Sequence, residues 1–216
     1  MKLFIPLAAL LALSCSASYA ERGMVSEPDR TGASYSVSNR YNNRNDYLHI
    51  AKMDYNGSIL WEANYDTAAN LKPAAVVVHP AGIIILAAHE LNGRRSFVLI
   101  NYSSQNYLVW DRVSDAFDSI PVALALDANG NICVCGNSRL GNNSYQASLW
   151  KYNPFGTLLW HVDYSGGGNT YARQLQTLFN DDIALGITVS LGSDTYGQYE
   201  RHSVTYTSAG ALRANQ

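Results

Sequence analysis

The sequence has little net charge, few cysteines and no long apolar run beyond its first twenty residues, and each shortage argues against a class of function. Its 15 basic and 17 acidic side chains nearly balance, and no basic run occurs. Nucleic acid and anionic membrane surfaces are therefore poor candidate partners. After the N-terminal run, no segment is long and apolar enough to cross a membrane as a helix.

Only two cysteines, Cys133 and Cys135, lie outside the N-terminal segment. Residues two apart in a strand point to the same face, so these thiols are expected side by side, with poor geometry for a disulfide. Two buried free thiols are favoured over a bridge or a metal pair, because no second Cys or His pair with ligand spacing lies nearby. We predict neither a metal site nor a cofactor.

The N-terminal segment has the pattern of an export signal. Lys2 precedes the apolar run Leu3–Leu13, and Ser18 and Ala20 are the small residues that a signal peptidase reads. We predict a signal peptide at residues 1–20 and a periplasmic or extracellular protein. A second interpretation is open: the residues before Cys15 loosely resemble a bacterial lipoprotein box, which would make Cys15 a lipid anchor at the outer membrane.

Three tryptophans, Trp61, Trp110 and Trp160, recur at spacings of 49 and 50 residues. Each tryptophan comes at the end of the same sequence pattern, which consists of a strand, a short turn and a second strand. A period of this length made only of strands is typical of the blades of a β-propeller. A repeated aromatic at a fixed blade position is expected to pack in the core between blades rather than to bind a ligand.

The clearest unit places four antiparallel strands between residues 122 and 164, with Gly130 and Gly156 in its two tight turns. The sequence therefore predicts an all-β propeller of about four four-stranded blades, at residues 33–65, 74–113, 122–164 and 172–214. Residues 21–32 are predicted to be a flexible segment. The first blade is predicted to be incomplete, because the sequence signal for its first strand is weak. Four blades form either a closed ring or an arc completed by a second chain, so both a monomer and a homo-oligomer are open.

The repeat resembles that of the bacterial seven-bladed-propeller-type (SBBP) proteins over roughly residues 33 to 212. The chain departs from that pattern in having about four units and in carrying Asn101 in place of the lysine of the middle unit. The resemblance implies a scaffold rather than a reaction. The matching segments are Leu126–Ile132, Gly136–Ser138, Leu149–Tyr152 and Gly156–Trp160, with Lys52–Asp54 and Gly57–Trp61 in the first unit.

No catalytic constellation is recognisable in the sequence. No Gly-x-Ser-x-Gly nucleophile motif occurs. The segment Asp127–Asn131 alternates oxygen-bearing side chains like a calcium loop, but it lacks the later glutamate and is better interpreted as a hairpin turn. We predict a protein that is not an enzyme; a propeller hydrolase or lyase acting on polysaccharide is the alternative. The histidines are scattered: His49, His79, His89, His161 and His202.

One end of the predicted blades has tight turns at Gly57, Gly130 and Gly156, and the other has longer polar loops at residues 40–46, 90–95, 138–145 and 193–201. Exposed loops on a rigid scaffold commonly bind partners. We therefore predict a scaffold that binds a protein or carbohydrate partner through the long-loop face. The candidate binding residues are Tyr41, Arg44, Arg94, Arg95, Asn142, Tyr196, Tyr199 and Arg201.

Overall fold

The computed structural model describes residues 23–116, 118–190 and 199–215, and every regular element in them is a β-strand. The signal-peptide and Cys15 predictions lie outside the described residues, as does Tyr196. The strands are β1 (Met24–Pro28), β2 (Ser34–Tyr41), β3 (Asp46–Met53), β4 (Ile59–Tyr65), β5 (Asn70–His79), β6 (Gly82–Leu91), β7 (Arg94–Ser103), β8 (Leu108–Val113), β9 (Ser119–Leu126), β10 (Ile132–Arg139), β11 (Tyr145–Tyr152), β12 (Leu158–Tyr164), β13 (Asn169–Thr177), β14 (Ile183–Ser190), β15 (Tyr199–Tyr206) and β16 (Leu212–Asn215). No described helix could cross a membrane.

Successive strands pair antiparallel in groups of four, which gives four sheets in chain order: β1–β4, β5–β8, β9–β12 and β13–β16. The predicted all-β architecture of four four-stranded units is therefore confirmed. The predicted incompleteness of the first unit is wrong. Strand β1 pairs with β2 over its full length, Met24 opposite Ser38 and Pro28 opposite Ser34, so part of the segment predicted to be flexible is the first strand.

The tight turns share one hydrogen-bonding pattern in which a side-chain oxygen accepts two backbone N–H groups. In the turn after β9, Asp127 Oδ1 accepts the N–H groups of Asn129 and Asn131 at 2.9 and 2.8 Å. Asp29 and Asp54 do the same in sheet 1, and Asn153 does so in the other tight turn of sheet 3. Asp and Asn favour such turns because their short side chains reach the backbone two residues on. The hairpin interpretation of residues 127–131 is confirmed.

The core consists of three clusters of buried apolar side chains, each between two consecutive sheets. One joins sheets 1 and 2 through Ile50 and Ile85, the next joins sheets 2 and 3 through Phe97 and Trp150, and the last joins sheets 3 and 4. Phe97 meets Trp150 edge to face, with ring centroids 5.0 Å apart. Within the described residues, no such cluster joins sheet 4 back to sheet 1. Over these residues the sheets therefore form a propeller-like arc with three internal interfaces.

Each repeated tryptophan contacts the following sheet and so links the two sheets. Trp61 Nε1 donates to the backbone oxygen of Ser104 in sheet 2, and Trp160 Nε1 donates to that of Ser208 in sheet 4, both at 3.1 Å. Trp110 lies against the turn glycine Gly156 of sheet 3. The prediction that these residues pack between blades is confirmed.

The two outward faces of the arc are less apolar than its internal interfaces. In sheet 2, Ile83 and Ile85 point into the core and pair with the third strand; the corresponding positions of sheet 1 are Ser34 and Ser36. The side chains of Ser34 and Ser36 are half-buried. A polar outer face is typical of the capping units of repeat proteins.

Candidate functional site

The first turn of every sheet borders a single cavity of about 830 Å³ at the centre of the arc. Arg30 comes from sheet 1, His79 from sheet 2, Asp127 from sheet 3 and Phe179 from sheet 4. We call this space the hub cavity. It lies at the end of the molecule that carries the tight turns, opposite to the face predicted to bind a partner. Its volume falls in the range of small-molecule and cofactor sites.

A second cavity of about 370 Å³ lies between sheets 1 and 2 and shares part of its wall with the hub cavity. The common residues are Arg30, Val78, His79 and Pro80. Asp29 and Lys52 line the smaller cavity as well. The wall formed by Arg30 and His79 therefore faces two adjacent spaces, which extends the concave region toward the outer part of the arc.

The carboxylate at the hub, Asp127, is held in a complete set of bonds. Its side chain is fully buried, with Oδ2 2.8 Å from Lys151 Nζ and 2.8 Å from Asn131 Nδ2. Burial raises the pKa of Asp127, but the hydrogen bonds from Lys151 and Asn131 outweigh burial and lower it below its usual value. Asp29 and Lys52 form the corresponding pair in sheet 1, at 3.3 Å. These carboxylates are structural anchors of their turns.

Sheet 2 replaces the Asp–Lys pair with a neutral one. His79 stands at the position of Asp127, and Asn101 at that of Lys151, with His79 Nε2 3.3 Å from Asn101 Oδ1. The backbone N–H of Ala81 donates to His79 Nδ1 at 3.3 Å, so the ring is neutral with its proton on Nε2. Burial lowers the pKa of His79, and the Asn101 hydrogen bond only partly opposes this. Both side chains line the hub cavity.

Sheet 4 departs from the repeat in another way. Leu178 holds the position of Asp127, as its backbone hydrogen bonds with Asp181 and Asp182 show. The next residue, Phe179, is 99% exposed at the rim of the hub cavity. A phenyl ring in this position removes apolar surface from water only when something binds against it.

The predicted long loops are shorter in the structure than the sequence suggested. Residues 42–45 join β2 to β3, and residues 140–144 join β10 to β11. Between β6 and β7 the connection is a two-residue turn, Asn92 and Gly93, with φ values of 53° and 74°. In the structure, the strands continue into the segments that were predicted to be loops. The exposed ends of these strands are polar, and this polarity was the reason for predicting loops there. The predicted contrast between a long-loop face and a tight-turn face is wrong for these three connections.

The structure does not bring the predicted binding residues to one place. Arg95 is engaged in an ion pair with Asp118, whose Oδ1 accepts from Nε at 2.7 Å and lies 2.6 Å from Nη2. Asn142 accepts hydrogen bonds from Ser144 within its own turn. The other described candidates lie apart: Tyr41 is exposed at the end of β2, Arg44 borders a shallow depression beside Asp66, Arg94 borders another beside Asp115, and Tyr199 and Arg201 are exposed in β15.

In the part of the chain that the structure describes, a hydroxyl, a carboxylate and an imidazole meet at Asp163. Asp163 accepts hydrogen bonds from Ser148 Oγ at 2.5 Å and lies 2.9 Å from His161 Nε2. The carboxylate therefore lies between the hydroxyl and the imidazole, whereas a catalytic triad needs the imidazole in the middle to take the hydroxyl proton.

The thiols of Cys133 and Cys135 are buried and unpaired, as expected, and burial raises the pKa of each to about 12. Both are therefore protonated and unreactive at neutral pH. Among the described residues, no three His, Cys, Asp or Glu side chains are grouped in a way that could hold a metal ion.

The residues that line the hub cavity depart from the repeat pattern, and the sequence motifs did not identify this departure as a sign of a site. Positions 79, 101 and 178 break a pairing that units 1 and 3 keep, and all border or adjoin the cavity. From the resemblance alone, Asn101 is a departure from lysine and nothing more. A comparison of the units with one another, position by position, would have indicated that sheets 2 and 4 differ where the first turns converge.

Comparison with known proteins leaves this chain without a family. No protein-family model and no curated protein matches it. Among solved structures, it is similar to a tryptophan-to-alanine mutant of the Synechocystis apocarotenoid oxygenase, with a TM-score of 0.47 and 10% identity. The match covers 84% of this chain and 46% of the oxygenase chain, so this chain spans less than half the length of that structure. A similarity this distant gives no information on activity. The class that the strand pairing defines is an all-β repeat protein of propeller-like architecture.

Proposed function

We propose that this chain is an exported, non-enzymatic scaffold that binds its ligand in the hub cavity. One observation carries the proposal: the first turns of all four sheets converge on a single cavity, and side chains on its wall have no structural task. The side chains of Arg30 and Gln176 make no hydrogen bond or ion pair with other described residues, and Phe179 is 99% exposed. Groups that are neither buried nor paired at a cavity are free to contact a ligand.

The chemistry at the hub favours binding over catalysis. A general acid or base needs a group whose pKa lies near the working pH and whose proton can be exchanged with substrate. Asp127 has a lowered pKa and has both oxygens occupied by Asn129, Asn131 and Lys151. A propeller hydrolase would require a pair of free carboxylates at the hub. Asp29 is likewise held, by Lys52 and by its own turn.

The test is a fragment screen observed by NMR on the mature, isotope-labelled protein. We expect fragments to shift the backbone amides of the first turns, around His79, Asn129 and Phe179, with smaller changes at Tyr199 and Arg201. A cavity that binds nothing, or shifts that cluster in β15 and the loop-side turns, would overturn the proposal. The second outcome would restore the loop face as the binding surface.

A further inference from the structure

We propose that the hub cavity takes an uncharged carbohydrate chain, whose pyranose ring stacks on Phe179 and whose hydroxyl groups bind the amide and imidazole groups of sheets 2 and 4. This inference rests on the proposed function and adds the chemical class of the ligand. Four features of the cavity carry it: its charge, its exposed ring, its polar groups and its size.

The charges around the cavity largely cancel. Asp127 is neutralised by Lys151, and Asp29 by Lys52. The carboxylate of Asp181 accepts hydrogen bonds from the backbone of Ala128 and the amide of Asn129, at 3.1 and 3.0 Å. In sheet 2 the equivalent pair is uncharged. A cavity that strongly prefers an anion or a cation would keep several unpaired charges of one sign, and here Arg30 is the one unpaired charge among the lining residues.

Phe179 offers a flat apolar surface beside polar groups. The ring is 99% exposed and follows Leu178, which also lines the cavity. A pyranose presents one face of C–H groups and a perimeter of hydroxyl groups, so it needs both an aromatic platform and hydrogen-bonding side chains close to each other. Aromatic side chains supply this kind of contact with little loss of conformational entropy.

Two polar groups on the wall, the His79 ring and the Asn101 amide, are held in place before a ligand arrives. The carbonyl oxygen of Asn101 is fixed by His79, which leaves the Asn101 amide nitrogen without a partner among the described residues. Asn101 itself is 7% exposed, so its orientation is set by packing. Gln176 adds an amide that can both donate and accept. Fixed neutral donors and acceptors match hydroxyl groups, which act as both.

The cavity also has room for a chain of sugars. Its volume of about 830 Å³ lies near the upper end of typical small-molecule sites, and the adjoining 370 Å³ space continues it past Arg30 and His79. An open concave region shared by four turns suits a linear ligand that enters from solvent and leaves again.

The experiment is calorimetric titration of the mature protein with cellohexaose, chitohexaose, maltohexaose and xylohexaose, and with hexagalacturonate as the charged counterpart. We expect at least one neutral hexasaccharide to bind and Phe179→Ala to weaken it at least tenfold. Phe155→Ala is the matched control, because Phe155 is also exposed in a tight turn, at 74%, but does not line the cavity. Since both rings lie in solvent, neither substitution should affect folding.

Three results would overturn the inference: no binding of any neutral hexasaccharide, equal losses in Phe179→Ala and Phe155→Ala, or preference for hexagalacturonate. These results are distinguishable from failure of the proposed function. If NMR fragments still map to the first turns while all neutral sugars fail, only the ligand class is wrong. If fragments also avoid the cavity, the binding site itself is wrong.

Discussion

At the scale of single residues, the turn glycines show how one residue type serves two requirements. Gly57, Gly156 and Gly210 all have φ values near 80°, a region that other L-residues enter at a cost of about 1 kcal/mol. The sequence identifies this backbone requirement. In the structure Gly156 and Gly210 also accommodate a tryptophan from the preceding sheet, whereas a Cβ on Gly57 would meet no atom within 4 Å.

This difference predicts that alanine is more harmful at Gly156 than at Gly57. Both substitutions carry the cost of the left-handed backbone, about 1 kcal/mol. In Gly156→Ala the new methyl would also lie 3.1 Å from the Trp110 ring, and overpacking of this kind costs about 1–3 kcal/mol. Urea unfolding of the two variants measures the difference. Equal losses of stability would show that the tryptophan can move aside freely.

The buried polar pair of the repeat also shows what single residues contribute to stability. Asp127 and Lys151 form a buried pair, and removing one partner from such a pair commonly costs about 3–5 kcal/mol because the other charge is left buried. That constraint explains why the pair recurs in sheets 1 and 3. Its replacement by His79 and Asn101 avoids the same penalty, since neither side chain is charged.

At the scale of elements, the strand that the sequence concealed is β1. Its alternation is weak, with Val25 as its one aliphatic side chain directed at the core and Pro28 at its end. Pairing with β2 and packing on β5 make this segment a strand. Local propensity could not indicate this, because β-strand formation depends on the neighbouring strand and the buried face more than on the segment itself.

The contrast between adjacent residues in β1 tests its role. Val25 packs against the core between sheets 1 and 2, whereas Ser26 is exposed on the opposite face. We expect Val25→Asp to lower the free energy of unfolding by about 2 kcal/mol, through lost apolar burial and a poorly solvated charge. Ser26→Asp, the control, should change it by less than about 0.5 kcal/mol.

Chemical denaturation of both variants, followed by circular dichroism, provides the measurement. Similar effects at the two positions would mean that β1 does not contribute a buried face, and that residues 21–32 behave as the flexible segment that the sequence suggested. A large effect at Val25 alone would support the complete first sheet.

At the scale of the whole molecule, the arc ends in two faces that differ from the internal ones. The outward face of sheet 1 carries Ser34 and Ser36 on its second strand. The outward face of sheet 4 carries Ala184 and Gly186 at the positions where sheet 2 has Ile84 and Leu86. Ala214 pairs with Thr205 as Trp160 pairs with Lys151, so sheet 4 has alanine where a clasping tryptophan would stand.

We therefore expect the protein, prepared without its first twenty residues, to be a monomer. Closing the arc with a second copy would bury faces that contribute few apolar contacts, and the copy would bring no tryptophan to the turn of Gly57. Sedimentation velocity at about 10 and 100 μM distinguishes the two states. A discrete dimer at both concentrations would contradict this expectation and favour shared closure by two chains.

The sequence by itself determined the repeat, the strand count of the later units, the tight turns and the packing role of Trp61, Trp110 and Trp160. It could do so because periodic apolar residues and turn glycines report local backbone geometry, which is encoded within a few residues. Only the tertiary structure decided that β1 completes the first sheet, that Arg95 belongs to a structural ion pair and that the four first turns share one cavity. These features depend on residues far apart in the chain, whose proximity follows from how the sheets pack and not from any local pattern.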